Sequence, residues 1–166
     1  MKSDQRGITL LETSIALSIM SFAVLLFYVL YVAGVQSVQK EEKRFGVQQN
    51  TRNAAGIISS EVRHATSIGT SIPSGSVYYT IRLDNDSNCL VIDTYNNGNT
   101  TSRIVGKYIT GLSFSNTSIS GKPGLSFTVS GNNGSFTNDY LISSQVLLLN
   151  ISSLSSFEDS TIYFTR

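Results

Sequence analysis

Hydrophobic and polar residues are distributed very unevenly along this chain. Residues 13–39 contain no charged side chain and are rich in Leu, Ile, Val and Phe. As a helix rising about 1.5 Å per residue, this run would be about 40 Å long, which is enough to cross a bilayer. The rest of the chain is rich in Ser, Thr, Asn and Gly. The pattern therefore predicts a membrane helix followed by a polar, strand-forming domain.

The helix is expected to continue beyond the apolar run, because one apolar stripe follows it at steps of three and four residues. The continuation should end near residues 66–69, before Pro73. Its stripe should pack against the core of the domain and consists of Val47, Thr51, Ala54, Ile58, Val62 and Ala65.

From residue 77 onward the pattern changes to short runs of β-branched and aromatic residues separated by turn signals such as Asn97-Gly98. An antiparallel sheet folded onto the helical stripe is the economical arrangement, which makes the fold class α+β. The apolar run Val146–Leu149 predicts a central strand buried on both faces. The expected strands are residues 77–83, 90–95, 103–109, 112–118, 125–130, 141–151 and 161–165.

Charge and composition exclude several functions. The net charge is +1, with no basic block that could follow a phosphate backbone, so no nucleic-acid partner is indicated. The single His and the few carboxylates offer no catalytic triad, and no phosphate-binding loop is present. We therefore expect no enzyme activity, no cofactor and no metal.

Three polar features have simpler explanations than a functional site. Cys89 has no second cysteine to pair with and is expected to be a buried strand residue. His64 adjoins the stripe and is expected at the surface. The stretch Asp84–Asn88 spaces its oxygens like a calcium loop, but Cys89 replaces the sixth-position Gly and Tyr95 the twelfth-position Glu, so a hairpin turn is favoured.

Glu12 does not fit a simple membrane anchor. It lies among Leu10, Leu11 and Ile15, and an ionisable side chain at membrane depth is costly unless it has a partner. Arg6 could reach towards it in an uncleaved signal-anchor. The alternative is a partner created by processing or supplied by another chain.

The segment from Gly7 to Glu12 resembles the prepilin processing motif, in which a short charged leader ends in Gly and Glu is the fifth residue of the mature chain. The resemblance implies a type IV pilin-like fold, cleavage between Gly7 and Ile8 by a prepilin peptidase, and methylation of the new amine on Ile8. It also implies that Glu12 pairs with the Ile8 amine of a neighbouring subunit and sets the register of assembly. The family's usual Pro is missing, since residues 28–30 are Tyr, Val and Leu.

On this resemblance the chain divides into a leader (1–7), a transmembrane and assembly helix (8–39) and a globular head (40–166). The implied function is that of a minor type IV pilin, a structural subunit of a pilus or of its tip. Its expected partners are other pilin subunits, the prepilin peptidase, the assembly platform with its ATPase and, before assembly, the membrane. It would be a single-pass cytoplasmic membrane protein with an extracytoplasmic head, and later part of a pilus at the cell surface.

Two alternatives stay open. A pseudopilin of a type II secretion or DNA-uptake machine would share the same assembly physics. A monomeric surface domain on an uncleaved signal-anchor would bind a ligand and would not polymerise.

Overall fold

A computed structural model describes residues 9–134 and 136–166. The described residues divide into two compact units between residues 42 and 43. From here on, "head" means residues 43–166. In chain order the elements are α1 (Leu10–Arg63), β1 (Ser67–Gly69), β2 (Val77–Asp84), β3 (Cys89–Asn96), β4 (Asn99–Lys107), β5 (Ile109–Ile119), β6 (Lys122–Gly131), β7 (Tyr140–Leu147), β8 (Glu158–Asp159) and β9 (Ile162–Thr165).

The helix α1 has no break at residues 28–30, where the resembled family usually has Pro. Without Pro every residue there can donate its backbone N–H to the preceding turn. The helix ends at Arg63, three residues before the expected limit at Thr66. After it, the N–H of Ala65 donates to the carbonyl of Val62. The N–H of Thr66, directly before β1, donates to the carbonyl of Thr165 on β9.

The α+β fold class is confirmed, with antiparallel strand pairing throughout the described ladders. The strands form two sheets rather than the one expected. One has the order β1-β9-β2-β3-β4 and the other the order β7-β6-β5-β8. The chain passes from the first sheet to the second at Tyr108, the residue between β4 and β5.

The predicted helical stripe is confirmed as part of the core of the head, because all six of its residues are at most 2% exposed. Ala54, Ile58, Val62 and Ala65 belong to one hydrophobic cluster with inward-facing residues of both sheets, including Phe114, Phe127 and Phe164. Burying a Val or Ile side chain stabilises the folded state by about 1.5–3 kcal/mol. Burial of this stripe therefore holds the helix against the sheets.

The prediction of a central strand at Val146–Leu149 is wrong. Strand β7 ends at Leu147 and lies at the edge of its sheet, beside β6 alone. Val146 and Leu148 are buried, whereas Leu149 is 57% exposed. The chain leaves the sheet here because the N–H of Leu149 donates to the carbonyl of Arg63 at the helix end, 3.3 Å away.

Candidate functional site

Thr9 and Glu12, which belong to the segment that resembles the processing motif, form a helix cap. Thr9 precedes the first residue of α1, and Glu12 is the third helical residue. The N–H and Oγ1 of Thr9 donate to Oε2 of Glu12 at 2.9 and 3.1 Å, and the N–H of Glu12 donates to Oγ1 of Thr9 at 3.3 Å. This is a capping box, in which two side chains satisfy backbone N–H groups that a helix start leaves unpaired. This role of Glu12 was missed from the sequence, although Thr-x-x-Glu before an apolar run is its local signal.

Glu12 forms no ion pair within the described part of the chain. The ion pairs found there join Arg82 to Asp93, and Arg103 and Arg166 to Glu61. Gly7 and Ile8, the predicted cleavage site and the predicted methylated residue, lie outside the described residues. The predicted contact of Glu12 with a neighbouring Ile8 therefore stays a prediction.

The surface of α1 that follows Glu12 is apolar on all sides. Its large hydrophobic side chains between Leu10 and Val38 are 39–88% exposed. Among the described residues, α1 is the helix long and apolar enough to cross a membrane. A helix that is apolar all round is buried in lipid or among other helices. The chain thus has a candidate membrane anchor, and length and composition alone support it.

Three serines, Ser14, Ser18 and Ser21, lie along one face of this helix at four- and three-residue steps. The hydroxyls of Ser18 and Ser21 donate to the carbonyls of Ser14 and Leu17, at 2.9 and 2.8 Å. Because these hydroxyls are already paired within the helix, the face can enter lipid or approach another helix without leaving them unsatisfied.

In the head, Glu61 connects the helix to the five-stranded sheet. Its Oε1 accepts a hydrogen bond from Arg103 on β4 at 2.9 Å, and its other oxygen pairs with Arg166. Arg166 lies over the ring of Tyr79, 4.6 Å from its centroid. Glu61 is only 16% exposed, so two cations share one nearly buried carboxylate. No local pattern could reveal this cluster, because Arg103 lies 42 residues away in sequence.

A second ion pair stabilises the outward face of the same sheet. Nε of Arg82 on β2 donates to Oδ2 of Asp93 on β3 at 2.7 Å. This hydrogen bond, with the negative charge of Asp93, raises the pKa of Arg82 above its ordinary value. The pair lies between adjacent strands and compensates one oxygen of a carboxylate that is 13% exposed, whereas its Oδ1 is buried without a hydrogen-bond partner among the described residues.

The side chain of Asp139 stabilises the loop between β6 and β7 through two hydrogen bonds. Its Oδ2 accepts from Oγ1 of Thr110 at 2.6 Å, and its Oδ1 accepts from Nδ2 of Asn132 at 2.9 Å. These two hydrogen bonds stabilise the ionised carboxylate and lower the pKa of Asp139 below its ordinary value of 3.8.

We expect this carboxylate to contribute to stability at neutral pH. A lowered pKa in the folded state means that the contribution is present above the unfolded pKa and is lost as pH falls through the folded value. Asp139→Asn should therefore lower the melting temperature at pH 7, and the difference should shrink below about pH 4. The matched control is Asp86→Asn, since Asp86 is exposed in the turn between β2 and β3. Equal melting temperatures of the two variants at pH 7 would contradict the role of Asp139.

The other polar residues lie where the sequence predicted. Cys89 is 6% exposed at the start of β3, as expected of a buried strand residue. His64 is exposed directly after the helix, and its carbonyl accepts a hydrogen bond from Asn150 at 3.0 Å. Residues 85–88 form the turn between β2 and β3, where Oγ of Ser87 donates to Asp84 at 2.6 Å.

Tyr108 has an unusual backbone. Its φ is 62°, in the left-handed region that bulky residues rarely adopt and that costs about 1–2 kcal/mol. Two hydrogen bonds hold it there, since its carbonyl accepts from the N–H of Asn132 at 2.8 Å and the next N–H, of Ile109, donates to Asn88 at 2.9 Å. The side chain is 46% exposed. An aromatic ring is thus held at the surface by a strained and fixed backbone.

Comparisons with known protein families, with characterised proteins and with solved structures find no significant match to this chain.

Proposed function

We propose that this chain is a minor type IV pilin-like subunit that polymerises through α1 after its leader is removed between Gly7 and Ile8. The observation that carries the proposal is Glu12, a carboxylate at the start of an otherwise apolar, exposed helix with no cation beside it within the described residues. Such a residue is expensive in a membrane and is usually retained for a function.

Cleavage would supply a cation for Glu12. Hydrolysis of the peptide bond after Gly7 leaves a free amine on Ile8, and a single methyl group on that amine preserves its positive charge. Within one chain, Glu12 already accepts from Thr9 at the helix cap. In a neighbouring chain, Glu12 can meet the amine of Ile8 when two helices pack side by side, and a charged pair buried in a low-dielectric bundle specifies register.

The shape of the rest of the chain is compatible with this function. The apolar surface from Leu10 to Val38 needs to be covered, first by lipid and then by other helices. The head has its own core, built from two sheets and the helical stripe. An anchored helix can therefore be transferred from membrane to filament without unfolding the head.

A second candidate function is a monomeric surface domain on an uncleaved anchor. The capping box favours it, because the hydrogen bonds with Thr9 give Glu12 a local structural role that needs no neighbouring subunit. A pseudopilin of a secretion or DNA-uptake machine is a variant of the first proposal with the same assembly chemistry.

Removal of the leader separates these candidates. In a host with an active prepilin peptidase, we expect the intact mass of the membrane-extracted chain to correspond to residues 8–166 plus one methyl group. Gly7→Leu should leave the leader attached, because its side chain crowds the site where the peptidase must approach the backbone. Gly7→Ala adds only a methyl group and should be cleaved in part. A native chain that keeps residues 1–7 in this host would contradict the pilin-like proposal and support the anchored monomer.

A further inference from the structure

A group of aromatic residues lies around residues 44–47 of the head, which follow the apolar run closely in sequence. Phe45 is 66% exposed, although it belongs to a helix segment whose other face is buried. Tyr108 is 46% exposed on its strained backbone. Phe136 and Tyr140 are half-buried and line a groove of about 390 Å³ with Arg44 and Val47.

Contacts within the head place Tyr108 beside the beginning of its helix segment. A Cβ atom added to Gly131 would lie 3.0 Å from the carbonyl oxygen of Tyr108 and 3.2 Å from Cγ1 of Val47. The loop residues 136–140 lie beside Arg44 and Val47 in the same groove. Phe136, Tyr140 and the backbone of Tyr108 therefore lie near residues 44–47. The side chain of Tyr108 lines an adjoining groove, which shares Asp139 with the first.

Chain length limits how far this end can be from the apolar run. Arg44 follows Gln39, the last residue of the uncharged segment, by five positions. Even a fully extended chain covers at most about 18 Å in five residues. If residues 13–39 cross a bilayer, the surface around residues 44–47 must lie close to its headgroup layer, whatever the orientation of the head.

We propose that this aromatic end of the head, formed by Phe45, Tyr108, Phe136 and Tyr140, contacts the lipid headgroup layer while the subunit is in the membrane. Phe and Tyr suit that layer because an apolar ring is buried there while a hydroxyl can stay hydrated. The nearby charges nearly cancel, since Lys40, Lys43, Arg44 and Lys107 are offset by Glu41, Glu42 and Asp139, the last of which lines the groove. The contact is therefore made through the rings and needs no anionic lipid.

This inference explains the placement of Tyr108. Gly or Asn would adopt its positive φ with less strain. Strained residues cluster at functional sites, and here a large amphipathic ring is kept at the surface on a strained backbone. The inference rests on the membrane span of the proposed function, but not on polymerisation.

The absence of Trp from the sequence allows a direct test with single-Trp variants of the full chain. Three variants are reconstituted singly in vesicles of zwitterionic lipid that carry a nitroxide quencher either at the headgroup or at the bilayer centre. Tyr108→Trp tests the inference, and Leu26→Trp tests the span at its middle. Tyr95→Trp is the control, because Tyr95 pairs with Thr100, which precedes Tyr108 by eight residues, or about 26 Å of strand. Tyr108 directly follows the end of β4.

We expect the headgroup quencher to reduce emission at position 108 about twofold and to leave position 95 unchanged, at low and at high salt. The central quencher should reduce emission at position 26. Quenching at 26 without quenching at 108 would overturn the inference and leave the span intact. No quenching at 26 would overturn the span and the inference with it. A shift of emission at 108 that lipid quenchers do not affect would show a second copy of the chain on this surface, which also overturns it.

Discussion

Replacement of Glu12 by Leu should reduce the incorporation of this chain into filaments by about 100-fold or more. The variant should still insert into the membrane and fold its head. In the proposed assembly the variant leaves the amine of Ile8 on the neighbouring subunit without its counter-charge in apolar surroundings, which is strongly unfavourable. The measurement is the fraction of subunit in sheared filaments, after intact mass has shown that the leader was removed. Neither membrane insertion nor the core of the head uses this carboxylate, so the defect is assigned to assembly.

The capping box calls for a second variant, because Leu removes the cap and the charge together. Gln at the same position can still accept from Thr9, since Glu and Gln are both used in capping boxes, but it carries no charge. If the charge is what matters, Glu12→Gln should fail to assemble as fully as Glu12→Leu. Normal incorporation of Glu12→Gln would show that Glu12 only caps the helix, and would favour the anchored monomer.

Gly131→Ala should destabilise the head by about 1–3 kcal/mol, as expected when a methyl group is forced into a packed core. The added Cβ would lie 2.4 Å from Oγ1 of Thr51 and 3.0 Å from the backbone carbonyl of Tyr108, which cannot move freely. Thr51 is fully buried and its hydroxyl donates to the carbonyl of Val47, so the helix must shift away from β6. Thermal unfolding of the full chain in detergent, followed by the near-ultraviolet circular dichroism of its tyrosines, measures the effect.

The matched control is Gly56→Ala, the same change on the exposed side of the same helix. A Cβ at Gly56 meets no atom within 4 Å. Because Ala is the better helix former by about 1 kcal/mol, this variant should unfold at a slightly higher temperature than the native chain. Equal effects of the two substitutions would contradict the close approach of α1 and β6.

Local patterns in the sequence were sufficient wherever structure depends on near neighbours. The step of three and four residues identified five buried residues of α1, and Ala65 just beyond its end. Turn signals such as Asn97-Gly98 lie between paired strands, with Asn96 opposite Asn99. Seven of the described strands lie close to those expected, with ends that differ by a few positions, whereas the short strands β1 and β8 were not predicted.

Pairing between distant segments could not be read from local patterns. Val146–Leu149 looks like a central strand because it is continuously apolar, but its residues are divided between the edge strand β7 and the segment that returns to the helix end. The order of strands in a sheet depends on which partners are adjacent in space, and a run of apolar residues does not identify its partner. The ion pairs of Glu61 with Arg103 and Arg166 could not be predicted for the same reason, since these residues are far apart in the sequence.

The sequence by itself determined that one apolar segment precedes a strand-rich head and that a stripe of α1 is buried. It also identified Glu12 as an ionisable residue in apolar surroundings. Each of these conclusions depends only on composition or on spacing within a few helical turns. Only the tertiary structure decided the division into two sheets, the edge position of β7 and the strained backbone at Tyr108. These features are fixed by hydrogen bonds between residues far apart in the chain, such as Asn132 with Tyr108 and Leu149 with Arg63. Their partners become neighbours only when the whole head is folded.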